Sequence, residues 1–164
     1  MKALDLIHWS LEFTEAGLTR LVSDMRDKPL TQPTSVGGNH PIWVLGHLAW
    51  VEGAIPAILF GEPNPVEHWK PIFGGGSTPT TNAADYPSFD EVLQTYLDLR
   101  AKNIRRLEEI GEAGLDAAPK NVPEPFKDVM TSVGKTYLLL ALHQNVHYGE
   151  VCDARRVAGL KPLL

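Results

Sequence analysis

The sequence is short of cysteine: Cys152 stands alone among 164 residues. No internal disulfide can form, so the fold must rest on packing and hydrogen bonding. Basic charge is short as well. Fifteen Lys and Arg face 20 Asp and Glu, a net charge of -5. That balance lacks the positive footprint of a nucleic-acid binder and gives no attraction to an anionic membrane. Long apolar runs are missing too. The richest stretch, residues 42–60, is broken by His47, Glu52 and Pro56, so it reads as a buried helix rather than a membrane span, which needs about 20 predominantly apolar residues. Met1-Lys2-Ala3-Leu4-Asp5 carries an early acid and no continuous apolar segment, so no signal peptide is expected. With a single thiol, a cytoplasmic location is the expectation. No alternating runs are joined by hairpin residues, and Gly74-Gly75-Gly76 is not followed by the Gly-Lys-Ser/Thr of a phosphate loop.

What is present points to helices. The composition is 43% hydrophobic and 21% charged, and a chain of this length suits one domain, here residues 1–164, with a core that needs no staples. Four segments carry helical periodicity. In the first, residues 2–27, Leu4, Ile7, Leu11, Leu18, Val22 and Met25 share a face, and Pro29 ends it. The second follows Gly37-Gly38, with Asn39 as cap and Pro41 in the first turn. Its apolar residues lie on more than one face, which predicts a central position. Pro56 predicts a kink near Glu52, and Gly61 closes the helix. The third begins at the capping box Ser88-Phe89-Asp90-Glu91, buries Val92, Tyr96, Leu99, Leu107 and Ile110, and stops at Gly111. The fourth covers residues 133–158, with Arg155 and Arg156 in its last turn and Gly159 and Pro162 as stop signals. Two long connections remain, residues 61–87 and 111–132. The first holds Trp69, Ile72 and Phe73, which can pack back onto the helices.

The chemistry lies in the histidines. His143 and His147 are four residues apart, which puts both rings on one helix face about 6 Å apart along the axis. Such a pair can grip one metal ion, or simply be hydrogen-bonded. Residue 144 is Gln rather than the Glu of the zinc-protease motif. His47 lies in the apolar segment Trp43-Val44-Leu45-Gly46-His47-Leu48-Ala49-Trp50. A third buried imidazole on another helix completes a three-His site, which leaves positions open to water or substrate. His8 falls on the stripe of the first helix and reads as structural before it reads as a fourth ligand. His40 belongs to the start of the second helix, and His68 to an exposed loop. Glu150 can orient a ligand ring or take a proton, a weak catalytic candidate beside a surface role. Tyr148 and Asn145 flank the pair. Cys152 reads as a packing residue, and Trp9, Trp43 and Trp50 as core or interface residues.

Trp43 with Gly46-His47-Leu48, then His143, His147 and Gly149, then Arg155-Arg156 and Gly159-Leu160-Lys161-Pro162 together resemble the DinB-like (DinB/YfiT) superfamily. Trp69, Phe73-Gly74 and Tyr86-Pro87-Ser88 are similar to its DinB-2 type members. The resemblance spans nearly the whole chain. It implies an all-α four-helix bundle of up-down-down-up type, often dimeric, with a divalent metal on His47, His143 and His147. Zinc or nickel would come first, iron or manganese next. One departure is Glu150, where many relatives would have Gln. The resemblance also implies metal-dependent transfer or hydrolysis of a small molecule, with a low-molecular-weight thiol as a candidate co-substrate. No basic cluster around Lys135 marks a strongly anionic thiol. The alternatives are a non-enzymatic metal-binding or ligand-sensing bundle acting as a stress-linked dimer, and a helical interaction module without metal.

Overall fold

A computed structural model describes residues 1–161; the stop signal read at Pro162 lies outside them. The described residues are helical, with no strand among them. Four long helices are α1 (Ala3–Val22), α2 (Pro41–Phe60), α4 (Phe89–Ile110) and α5 (Val133–Val157), and α3 (Lys70–Phe73) is a single turn in the first long connection.

The helix boundaries follow local chemistry. Ser88 Oγ accepts from the Glu91 amide, and Ser132 Oγ accepts from the Lys135 amide, so α4 and α5 start on capping serines. At α2 the cap differs from the expected Asn39. His40 is the capping residue, its Nδ1 accepting from the Trp43 amide, while the Asn39 side chain reaches Glu150. Gly61 ends α2 at φ 74° and Gly111 ends α4 at φ 64°, left-handed positions that glycine tolerates best. Helix α1 ends at Val22, short of the expected Asp27. Met25 is nevertheless fully buried, because the turn after α1 returns it to the core.

Helix α1 packs on α5, and α2 packs on both α4 and α5. The central position expected of α2 is what is found: residues 41–49 are all buried. This helix is long and apolar enough to cross a bilayer, but 67% of its apolar window is buried in the protein, the arrangement of a core helix. Trp69 and Phe73 also pack back into the core as expected.

The core divides in two. One cluster gathers Leu18, Leu45, Leu48, Phe73, Val92 and Tyr96; the other gathers Leu11, Ile55, Leu59, Leu107, Tyr137 and Leu140. Between them on each long helix lies a buried polar residue: Thr14, Glu52, Arg100 with Asn103, and Gln144. Arg100 and Glu52 form an ion pair at 2.6 Å with side chains 0% and 1% exposed. Burial raises the Glu52 carboxyl above its ordinary range, opposed by the Arg100 guanidinium and the Asn103 amide. Such a pair is tolerable only because its remaining polar atoms are bonded. Asn103 donates to the second Glu52 oxygen at 2.7 Å, and Arg100 donates to the Leu11 carbonyl at 2.9 Å.

Candidate metal centre

His47 is carried by α2, and His143 and His147 by consecutive turns of α5. Packing of these two helices brings the three rings together. His47 Nε2 lies 3.4 Å from His143 Nε2, and His147 Nε2 lies 3.2 Å from the same atom. One ring nitrogen from each residue falls within 4.8 Å of the others. Two nitrogens bound tetrahedrally to one ion at about 2.0–2.1 Å would stand about 3.3 Å apart.

The outer edges of two rings fix where their protons sit. His47 Nδ1 is 2.7 Å from the Phe73 carbonyl, which can only accept, so Nδ1 carries the hydrogen. His147 Nδ1 is 2.6 Å from Glu150 Oε2 and donates to that carboxylate. The other Glu150 oxygen accepts from Asn39 at 3.0 Å. In the neutral rings both Nε2 atoms therefore present lone pairs toward His143. A hydrogen on His143 Nε2 could serve one of them well and leave the other poorly satisfied, whereas a cation serves all three nitrogens. The donor set fits a divalent ion in this respect, and carbonyl and carboxylate partners behind ligating rings are the usual support for such a site.

Burial disfavours the charged form of two of the rings, His143 and His47. Burial, then the neighbouring His147 and His47, pushes His143 down to about 4. Burial also lowers His47, partly offset by its bond to the Phe73 carbonyl. Trp43 stacks on His47 with ring centroids 4.8 Å apart and planes 6° from parallel. Its indole N–H donates to Ser77 Oγ at 3.0 Å, so the connection after α2 holds both the tryptophan and the ligand ring. A cleft of about 420 Å³ lies elsewhere, between Pro56 and Phe60 of α2 and Leu99 and Arg106 of α4. None of the three histidines lines it, and its Arg106 is already paired with Glu62 at 2.7 Å. The convergent nitrogens, rather than this cleft, mark the candidate site.

A sequence profile of the DinB superfamily matches residues 10–151, a span that includes all three histidines and Glu150. The chain belongs to the DinB superfamily. No curated protein matches it.

The other histidines of this DinB-superfamily chain lie apart from the cluster. His8 bonds Glu108 at 3.0 Å and Glu12 at 3.3 Å, tying α1 to α4. His40 holds the start of α2 and bonds the Thr80 carbonyl at 2.7 Å. His68 is exposed in its loop. Tyr148 is half-buried and packs over Gly17, while Asn145 is exposed. Burial raises the Cys152 thiol, which agrees with a packing role. Trp43 is a core residue, Trp50 is half-buried, and Trp9 is 56% exposed, stacked on Phe13. Sequence reasoning missed the Phe73 carbonyl, Asn39 as a partner of Glu150, and the whole Glu52–Arg100–Gln144 layer. The available signal was Glu52 itself: a carboxylate within an apolar helix needs a buried partner.

Proposed function

We propose that His47, His143 and His147 hold one divalent metal ion, zinc or nickel first and iron or manganese next, in a single-domain DinB-like protein acting on small molecules. The observation that carries this reading is the convergence of three Nε2 atoms, two of them on rings whose Nδ1 hydrogens are committed elsewhere. The packing of α1 on α5 and of α2 on α4 and α5 supports an up-down-down-up bundle. A metal ion bound there would supply Lewis acidity, suited to metal-dependent transfer or hydrolysis with a low-molecular-weight thiol as candidate co-substrate. In that reaction Phe73 and Glu150 would orient ligand rings, and Trp43 would shield one face of His47 from water. The location we infer is cytoplasmic.

One observation favours the non-enzymatic reading, a metal-binding or ligand-sensing bundle. Both Glu150 oxygens are already engaged, by His147 and by Asn39, so this acid beside the cluster is not a free base. Leu6, Trp9 and Phe13 on α1 and Leu142 and Val146 on α5 are exposed, which supports a homodimer through these two packed helices. The deciding experiment is metal analysis of protein purified without a nickel column, then turnover with a panel of small thiols before and after chelation. Less than a tenth of an equivalent of any divalent metal, with none taken up on titration, would sink the metal reading. Full occupancy without turnover would favour the sensing one.

A further inference from the structure

We infer that Arg100 is a positioning residue for the metal site: one buried guanidinium sets the spacing between the two helices that carry the ligands. The inference rests on the metal-binding reading above and adds to it a residue that touches none of the three histidines.

The connectivity carries it. Arg100 Nε lies 2.6 Å from Glu52 Oε1, and Arg100 donates through Nη2 to Gln144 Oε1 at 2.5 Å. Glu52 is on α2, five residues after His47. Gln144 is on α5, between His143 and His147. A single planar group on α4 is therefore bonded to both ligand-bearing helices within about a turn and a half of the ligands. Its fork is rigid, so these bonds fix an angle as well as a distance. Gln144 is bonded at both ends of its amide: Tyr96 donates to its oxygen at 2.8 Å, and its nitrogen donates to the Thr14 carbonyl at 2.5 Å. Those bonds set the rotation of α5 about its axis at the turn where the two histidines project. Asn103 adds a second hold on α2, donating to the Glu52 carbonyl at 3.0 Å.

The two clusters that flank this layer are apolar, and apolar side chains can slide without losing much area. Hydrogen bonds to a fixed fork cannot. Each of the three nitrogens must keep its distance from a shared point to within a few tenths of an ångström to hold one ion. A layer that is polar and fully bonded, between two apolar clusters and beside the ligands, is where such a constraint can be imposed.

The test separates positioning from general stability. Glu52→Leu with Arg100→Met removes both charges together, keeps the core filled and leaves no single buried charge without its partner. Gln144→Met leaves the ion pair intact and breaks its link to α5, together with the bonds of Gln144 to Tyr96 and Thr14. Leu107→Ala, in the other apolar cluster, serves as a destabilised control. For each, the dissociation constants for zinc and cobalt and the visible spectrum of the cobalt form are measured together with the thermal midpoint. We expect Gln144→Met and the double variant to bind metal about ten- to a hundred-fold more weakly, with an altered cobalt spectrum, and Leu107→Ala to bind as wild type below its melting range. If the double variant does not fold, Gln144→Met alone decides. Wild-type affinity and cobalt spectrum in folded Gln144→Met would overturn the inference and leave the metal site standing. Failure of the wild-type protein to bind either ion would overturn the metal site itself, and the inference with it.

Discussion

Gly46→Ala tests how closely the connection after α2 is fitted to the site. Gly46 lies inside α2, one residue before His47. A Cβ there would sit 2.2 Å from Phe73 Cε1 and 2.4 Å from Cδ1 and Cζ. Carbon atoms in good contact are about 3.5–4.0 Å apart, so the ring would have to retreat by more than about 1 Å. Phe73 is 0% exposed and packed within the core cluster. Two effects oppose each other. Ala is favoured over Gly in a helix interior by about 0.8–1 kcal/mol. Overpacking at a fully buried aromatic costs about 3 kcal/mol at the upper end of its range. The clash wins by about 2 kcal/mol, which lowers the thermal midpoint by roughly 4–8 °C for a chain of this size. The displacement also reaches His47, because the Phe73 carbonyl accepts its Nδ1 hydrogen at 2.7 Å. Metal affinity should fall about ten-fold or more as that partner moves. Differential scanning calorimetry of the metal-free protein and a competition titration with zinc read the two effects. Adding Phe73→Leu should recover part of the stability lost in Gly46→Ala, a non-additive pair. A wild-type or raised midpoint in Gly46→Ala would refute the close-approach argument. A lowered midpoint with unchanged affinity would show that the carbonyl does not hold the ring.

The ligands themselves give sharper outcomes. His47→Ala and His147→Ala should each abolish stoichiometric metal, whereas His8→Ala, which removes only its contacts to Glu12 and Glu108, should leave occupancy intact; metal content after dialysis checks all three. Glu150→Ala frees the His147 ring and should weaken zinc binding about ten- to a hundred-fold, read by competition with a chromophoric chelator. For pH, the folded state holds His143 at about 4 and His40 and His47 below their ordinary values. The unfolded chain therefore binds more protons between about 6.5 and 4. The stabilisation is present in full above about 6.5 and is lost as pH falls toward 4. Thermal midpoints of metal-free protein at a series of pH values should drop across that window, and a flat profile would contradict the buried neutral rings.

The fold was legible where periodicity and punctuation agreed. Ser88, Gly61 and Gly111 mark helix ends that the structure places where the residues put them. The stripes of α1 and α4 are buried over most of their length, from Leu11 and Leu18 to Val92, Tyr96 and Leu107, with Leu4 and Ile110 only partly buried. The histidine cluster was legible in part because His143 and His147 share a helix face, a local property. Joining them to His47 needed packing across 96 positions, and there the apolar surroundings of His47 were the only clue apart from family resemblance. The Glu52–Arg100–Gln144 layer was not legible, since no local pattern connects residues 48 and 44 positions apart. In the sequence Glu52 reads as an interruption of an apolar run, and nothing local points from it to Arg100. The end of α1 was misplaced because Met25 keeps its place in the core through a turn rather than through helix.

The two oriented ligand rings differ in what holds them. His147 leans on a side chain, Glu150, which a single base change can replace. His47 leans on the main-chain oxygen of residue 73, which every amino acid supplies. A scan of side chains would register the first partner and pass over the second, because no substitution at position 73 deletes a carbonyl. That half of the site is inherited through the path of the connecting chain, and its sequence can drift as long as the path is kept.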